Sequence, residues 1–264
     1  MVGAAMRIPI YQIDAFSSHT FRGNPAAVCP LESWPDTNLL QSIAGENNLP
    51  ETAFFVREEG GYRLRWFTTK MEVDLCGHAT LASAYVIFQF LEKTRKSVSF
   101  ETLSGRLIVQ REDPYLAMLF PGRPASACPR PEGLAAGLGF EPVEVLRSRD
   151  YMAVYRSEKE ILELKPEMSI LERLDCLGVI VTAPGESSDF VSRFFAPGAG
   201  IPEDPVTGSA HCTLIPYWAQ KLKKKKMVAR QLSERGGELV CEDLGAQVKI
   251  SGQAAIYLQG FITV

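Results

Sequence analysis

Residues Ile8 to Phe16 alternate in polarity well enough to predict a first strand, after a short N-terminal tail expected to be disordered. The run Phe21-Arg22-Gly23-Asn24-Pro25 predicts a turn, and Ala26 to Cys29 a second strand; there Asn24 reads as a turn residue that tolerates a left-handed backbone. Asp36 is placed to cap a short helix through Leu39, Leu40 and Ile43, ending near Gly45. Leu49 to Val56 sets Glu51 directly before a buried-looking strand, and Tyr62 to Thr68 predicts the strand after it. From Ala79 the chain is apolar almost all round to about Leu91, so the helix expected from His78 onward must be enclosed on nearly every side. Short strand-like segments follow, with turns at Leu103-Ser104-Gly105 and Glu112-Asp113-Pro114. The expected arrangement is a sheet curled around a central helix.

A Pro-rich stretch from Pro121 to Pro131 reads as the boundary between two halves, 1–120 and 121–264. Beyond it the plan repeats: a short helix near Glu132 to Leu138, then strands near Tyr151 to Tyr155, Leu177 to Thr182 and Arg193 to Phe195. A second helix after Gly208 is expected to be kinked or shortened by Pro216. Gln231 to Leu239 reads as a hairpin, Val248 to Ile250 and Ala255 to Val264 as closing strands, the last of them open to pairing back with the first half.

The two halves share a signature. Glu203-Asp204-Pro205-Val206-Thr207-Gly208-Ser209-Ala210-His211 has a weaker twin in Glu72-Val73-Asp74-Leu75-Cys76-Gly77-His78-Ala79, 131 residues earlier. In both a Glu stands five residues before a Gly, a mostly apolar helical run follows, and an aromatic strand end precedes, Arg65-Trp66-Phe67 in one and Arg193-Phe194-Phe195 in the other. The first turn of a helix carries unpartnered N–H groups and the positive end of the helix dipole, and a Gly there lets an anion approach. Two such turns facing each other would grip an anionic ligand; the plainer alternative is a strand-to-helix turn with Gly serving its backbone angles.

Composition narrows the function. A formal net charge of −3 argues against a nucleic-acid binder, and the run Lys221 to Lys226 reads as a solvated helix end where cations suit the dipole. No apolar run approaches the roughly 20 residues that cross a bilayer, and a signal-peptide core is not seen, so a soluble, cytoplasmic protein is expected. The six cysteines are scattered and read as reduced core thiols. Glu51 reads by pattern as a solvated loop residue, or else as an acid or base held at a strand mouth where partial desolvation favours its neutral form.

At Arg22-Gly23-Asn24-Pro25-Ala26-Ala27-Val28, Asn48-Leu49-Pro50-Glu51-Thr52-Ala53-Phe54, Leu75-Cys76-Gly77-His78-Ala79-Thr80-Leu81-Ala82, Glu203 to His211 and Arg235-Gly236-Gly237-Glu238-Leu239, the chain resembles the PhzF family, the phenazine biosynthesis-like isomerases. It looks most like the animal-type phenazine biosynthesis-like domain proteins. The resemblance implies an α+β, diaminopimelate epimerase-like fold of two pseudo-symmetric β-barrel-like halves, each wrapped around a central helix. It further implies no cofactor, a small-molecule carboxylate substrate and often a homodimer, while charge, apolar-run length and ligand spacing lead to the expectation of no nucleic-acid partner, no membrane partner and no metal. Carried over residue by residue, Glu51 is implied to shuttle a proton within a small cyclic or unsaturated carboxylic acid. His78 and Asp204 are implied to stabilise the developing charge, and Asn24, Gly77, Gly208 and Ser209 to contact the substrate.

Three positions depart from the family pattern: Pro50 replaces a usual Ser, Thr69 stands where Pro is common, and Asp74 stands where some members have Pro. They put the substrate in doubt, Asp74 because a carboxylate beside Glu51 would repel an acid. Three rival readings remain. A thiol-dependent racemase or epimerase needs two cysteines; Cys76 sits where the first belongs, but Asp204 to Thr207 contains none, and Cys212 is expected to be buried. A metal enzyme has only His19, His78 and His211 to draw on, with Cys76 and His78 able to share an ion. A binding or scaffold protein would keep the fold and lose the chemistry.

Overall fold

Alternation settles which way each strand of the first layer faces. Ile8 and Ile10 of β1 (Arg7–Ala15), Ala27 and Cys29 of β2 (Asn24–Leu31), Phe54 of β3 (Glu51–Glu58) and Phe67 of β4 (Gly61–Phe67) meet one helix, α1 (Thr37–Asn47), at Leu40, Ile43 and Ala44. α2 (Gly77–Val86) packs against β1, β2 and β3 and continues as a π-helical turn, Ile87–Leu91. His78 to Ala84 are all buried, as the all-round apolar pattern requires. Thr80 and Ser83 tolerate this because their hydroxyls donate to the carbonyls of Cys76 and Ala79 one turn back.

This computed structural model describes residues 6–264; the first five, most of the tail before β1, lie outside the described residues. The chain divides into two compact units, Met1–Leu119 with Ser251–Val264, and Phe120–Ile250. In the first, β2 and β3 run parallel with Ala26 opposite Glu51, and β4 returns antiparallel with Phe67 opposite Thr52. The start of β3 and the end of β4 therefore share one end of the sheet. Short β5 (Glu72–Val73) pairs with β4, β6 (Ser97–Thr102) and β7 (Gly105–Glu112) form a hairpin, and β8 (Tyr115–Pro121) adds to β7. The last strand of the chain lies antiparallel to β1, with Arg7 opposite Thr263.

The second unit opens with β9 (Ser126–Ala127), α3 (Leu134–Leu138), β10 (Glu144–Arg147) and β11 (Tyr151–Val154). Two short helices, α4 (Glu158–Glu163) and α5 (Met168–Leu171), precede β12 (Val179–Pro184) and β13 (Phe190–Phe195). α6 (Gly208–Leu222), β14 (Lys226–Gln231), β15 (Gly237–Asp243) and β16 (Gln247–Gly252) follow, and β17 (Ala254–Thr263) is the strand that joins β1. Leu134, Leu138, Ile161 and Leu171 pack on Val179, Val181, Val191 and Phe195 to form this unit's core. Trp218 of α6 stacks on Phe190 and donates its indole N–H to Thr182 at 2.9 Å.

Three expectations need correction, and two short helices were missed. Asn24 is not the turn residue: positive φ falls on Phe21 and Gly23, and Asn24 begins β2, fully buried and opposite Ala15. α1 runs past Gly45 to Asn47, where Asn48 in the left-handed region returns its N–H to the Ala44 carbonyl. α6 is not shortened at Pro216, because the Cys212 carbonyl that the proline leaves unpaired accepts the Arg123 N–H at 2.8 Å instead. α4 and α5 carry too few residues to display a helical period, and sequence analysis missed them. All six cysteines are free thiols, Cys128 and Cys176 half-buried and the rest buried.

Candidate functional site

Glu51 is not a solvated loop residue. As the first residue of β3, between neighbours in parallel β2 and antiparallel β4, it has a side chain only 13% exposed. The chain leaves β4, passes β5 and enters α2 at that end of the sheet, delivering His78 in the first helical turn. His78 Nε2 and Glu51 Oε2 lie 3.0 Å apart, out of line for a straight hydrogen bond, and among the described residues neither atom has another polar partner. Cys76 Sγ is 3.5 Å from the other ring nitrogen, Nδ1, and within 4.8 Å of a Glu51 carboxylate oxygen. Burial opposes a charged His78, but Cys76 and the Glu51 carboxylate outweigh it and hold the imidazole protonated well above 6.5. Burial, aided by Glu51, pushes the Cys76 thiol up.

Glu51, Cys76 and His78 offer three donor atoms within 4.8 Å of one another, ligand types suited to zinc. Among the departures from the family pattern, Asp74 and Thr69 are exposed and Pro50 is half-buried directly before Glu51.

The second turn holds Asp204, Thr207, Gly208 and Ser209. Thr207 is the N-cap of α6, yet its hydroxyl donates to Asp204 Oδ2 at 2.6 Å instead of capping the helix. Cys76 likewise caps α2 only in position. Neither helix start is closed by its N-cap side chain, and Gly208 opens onto free space where a Cβ would stand. Neither Gly77 nor Gly208 has a positive φ, so backbone angle is not the reason for glycine there. Ser209 Oγ lies 3.5 Å from Arg149 Nη2. Gln231, at the end of β14, ties the turn together: its amide oxygen accepts the Thr207 N–H at 2.9 Å and its NH2 donates to the Asp204 carbonyl at 2.7 Å. His211 Nδ1 lies 2.8 Å from the Thr207 carbonyl, and burial pushes this histidine down to about 4. Cys212 is buried with its thiol pushed up to about 11, chiefly by burial, an unsuitable second thiol for a racemase.

Sequence analysis missed the braces behind both turns. Arg65 grips Glu72 bidentately at 2.7 and 2.7 Å, and Arg193 grips Glu203 at 2.8 and 2.9 Å. Each guanidinium also stands over the aromatic ring two residues on, Phe67 or Phe195. The repeated Arg-x-Phe followed by Glu before Gly was the signal. Gln231 and Arg149 had none, because their partners lie 24 and 60 residues away in the chain.

Residues 13–260 match the family model described as phenazine biosynthesis-like protein. The chain is 51% identical over 255 residues to an uncharacterized isomerase of Pseudomonas aeruginosa, covering 97% of this chain and 98% of that one. It is 40% identical to the human phenazine biosynthesis-like domain-containing protein, covering 98% and 100%. The crystal structure of a PhzF-family protein from Enterococcus faecalis is similar over 98% of this chain and 100% of that one, with a TM-score of 0.96 at 44% identity.

Proposed function

The chain belongs to the PhzF family and has its diaminopimelate epimerase-like α+β fold, and from that premise we propose that it is a cofactor-independent isomerase of a small cyclic or unsaturated carboxylic acid. Curated relatives named as isomerases support the reaction class. The observation that carries the finer reading is the Glu51–His78 pair, a half-buried carboxylate 3.0 Å from an imidazole at an uncapped helix start.

In this reading Glu51 removes a proton from one carbon, the C–H electron pair passes into the conjugated acid, and Glu51, whose carboxyl proton exchanges with solvent, delivers a proton to another carbon on the same face. His78 stabilises the negative charge that develops, and Asp204 polarises the substrate from its own turn. The N–H groups at the starts of α2 and α6, with Gly77, Gly208, Ser209 and Asn24, receive the carboxylate and ring. The protein would act in the cytoplasm as a homodimer. Exposed Phe21, Tyr257 and Phe261 in and beside β17, the first two in ring contact at 5.5 Å, give a second copy an apolar surface to cover.

The test is proton exchange in heavy water against a panel of small cyclic and unsaturated carboxylic acids, followed by NMR. At least one acid is expected to gain carbon-bound deuterium with the wild-type protein and none with Glu51→Gln. Cys76→Ser should keep the activity; its loss there would identify a thiol racemase. A panel without any incorporation would instead identify a binding or scaffold protein.

A further inference from the structure

Arg149 sits in the short turn between β10 and β11, a turn held by the Ser148 N–H donating to the Asp150 carbonyl at 3.1 Å. Its neighbour Asp150 is buried, with a side chain 5% exposed, whereas the arginine side chain is 43% exposed. Asp150 Oδ2 accepts from Arg149 Nε at 3.3 Å, so the buried acid anchors the guanidinium by its side and leaves the two NH2 groups at its end for other acceptors. One of them, Nη2, approaches Ser209 Oγ in the first turn of α6 at 3.5 Å. That is long for a hydrogen bond. An acceptor oxygen about 2.8 Å from each of these two atoms fits between them, where the guanidinium and the serine hydroxyl both donate to it.

A second arginine offsets the anchoring acid. Arg123 donates its backbone N–H to the Cys212 carbonyl of α6 at 2.8 Å. Burial raises both Asp150 and Cys212, and the charges of Arg149 and Arg123 act against it at each. Two guanidiniums therefore bear on one buried carboxylate. Asp204, the acid of the adjoining turn, accepts from the Thr207 hydroxyl at 2.6 Å, and Gly208, beside Ser209, opens onto free space. We propose that Arg149 is a specificity-determining residue of this chain, binding a carboxylate oxygen of the substrate jointly with Ser209. This rests on the reading of Ser209 as a substrate contact and adds a charged side chain to the backbone groups that meet the acid. A planar guanidinium matches the two oxygens of a carboxylate, so acids are selected over their neutral amides.

The experiment is a titration of the full-length protein with benzoate and with benzamide, its neutral isostere, followed by 1H–15N NMR of the backbone amides. Wild type is expected to bind benzoate with shifts at Gly208 and Ser209, and to bind benzamide at least about tenfold more weakly, the worth of one hydrogen bond to a charged group. Arg149→Gln should abolish that preference. Arg156→Gln, the same change of charge at an exposed arginine that pairs with Glu160, should leave it whole. If Arg149→Gln disturbs amides throughout its unit, Arg149→Lys, which keeps the charge without the fork, replaces it and should lower the preference. The proposal is overturned if wild type does not prefer benzoate, if the Gln or Lys variant keeps the full preference, or if Arg156→Gln loses it. A wild-type preference for benzoate without exchange in heavy water describes an acid-binding protein with Arg149 in this role. Exchange without an Arg149-dependent preference keeps the isomerase and removes the role, so the two failures are separable.

Discussion

The two glycine turns share a frame and differ in what the frame carries. Each has an Arg–Glu brace, an aromatic ring under the guanidinium, and an N-cap side chain that leaves its helix uncapped. In the first, that side chain is a thiol beside an imidazole that contacts a carboxylate. In the second it is a hydroxyl bound to a carboxylate and fixed by an amide. The first therefore holds a carboxylate and an imidazole whose contact is not in ideal line, while the second is closed by hydrogen bonds, one of them to the Asp204 carboxylate. The lesson is that a repeated scaffold can keep its structural half in both copies and reserve labile protons for one.

The largest expected effect tests this asymmetry directly. Glu51→Gln should lower proton exchange on a responsive acid by about 10³-fold, within the range for loss of a general base. Asn at 204 should cost less, since Asp204 already accepts from Thr207. Equal losses, measured as initial rates in heavy water, would erase the distinction.

The braces come next. Arg193→Ala should destabilise by about 4 kcal/mol and Arg65→Ala by about 3, as expected when one partner of a mostly buried pair is removed. Arg193 ranks first because it also donates to the Ile161 and Leu164 carbonyls. Urea unfolding would show the order; a larger loss at Arg65 would count against matched frames.

The histidines should give the two turns opposite pH responses. His211 has a folded pKa of about 4 against 6.5 unfolded, so its stabilisation is present above 6.5 and lost as pH falls from there to about 4. Its full extent is about 3 kcal/mol. His78 is raised, so its contribution is present below 6.5 and lost as pH rises through the folded value. Stability measured against pH should therefore flatten on the acid side in His211→Gln and on the neutral-to-alkaline side in His78→Gln.

The smallest effect lies outside both turns. Asp36 Oδ1 accepts the Asn38 N–H at 2.8 Å, so Asp36→Ala should cost about 1 kcal/mol in thermal or urea unfolding, with proton exchange unchanged.

Periodicity and motif together carried much of this molecule. The polar–apolar alternation of β1, the all-round apolar run of α2, the Asp36 cap and the twin Glu-to-Gly spacing are local features, and local physics reads them. The chain itself also supplied the residue types of the site. What it withheld were pairings between distant segments. The parallel register of β2 on β3 turns Glu51 from a loop residue into a half-buried one, and the fold sets its carboxylate 3.0 Å from an imidazole 27 positions later. Gln231 reaches back to the Thr207 turn, and the Arg123 N–H rescues the carbonyl that Pro216 leaves unpaired. Burial and hydrogen-bond geometry depend on which segments fold against each other, and no spacing along one chain encodes that by itself.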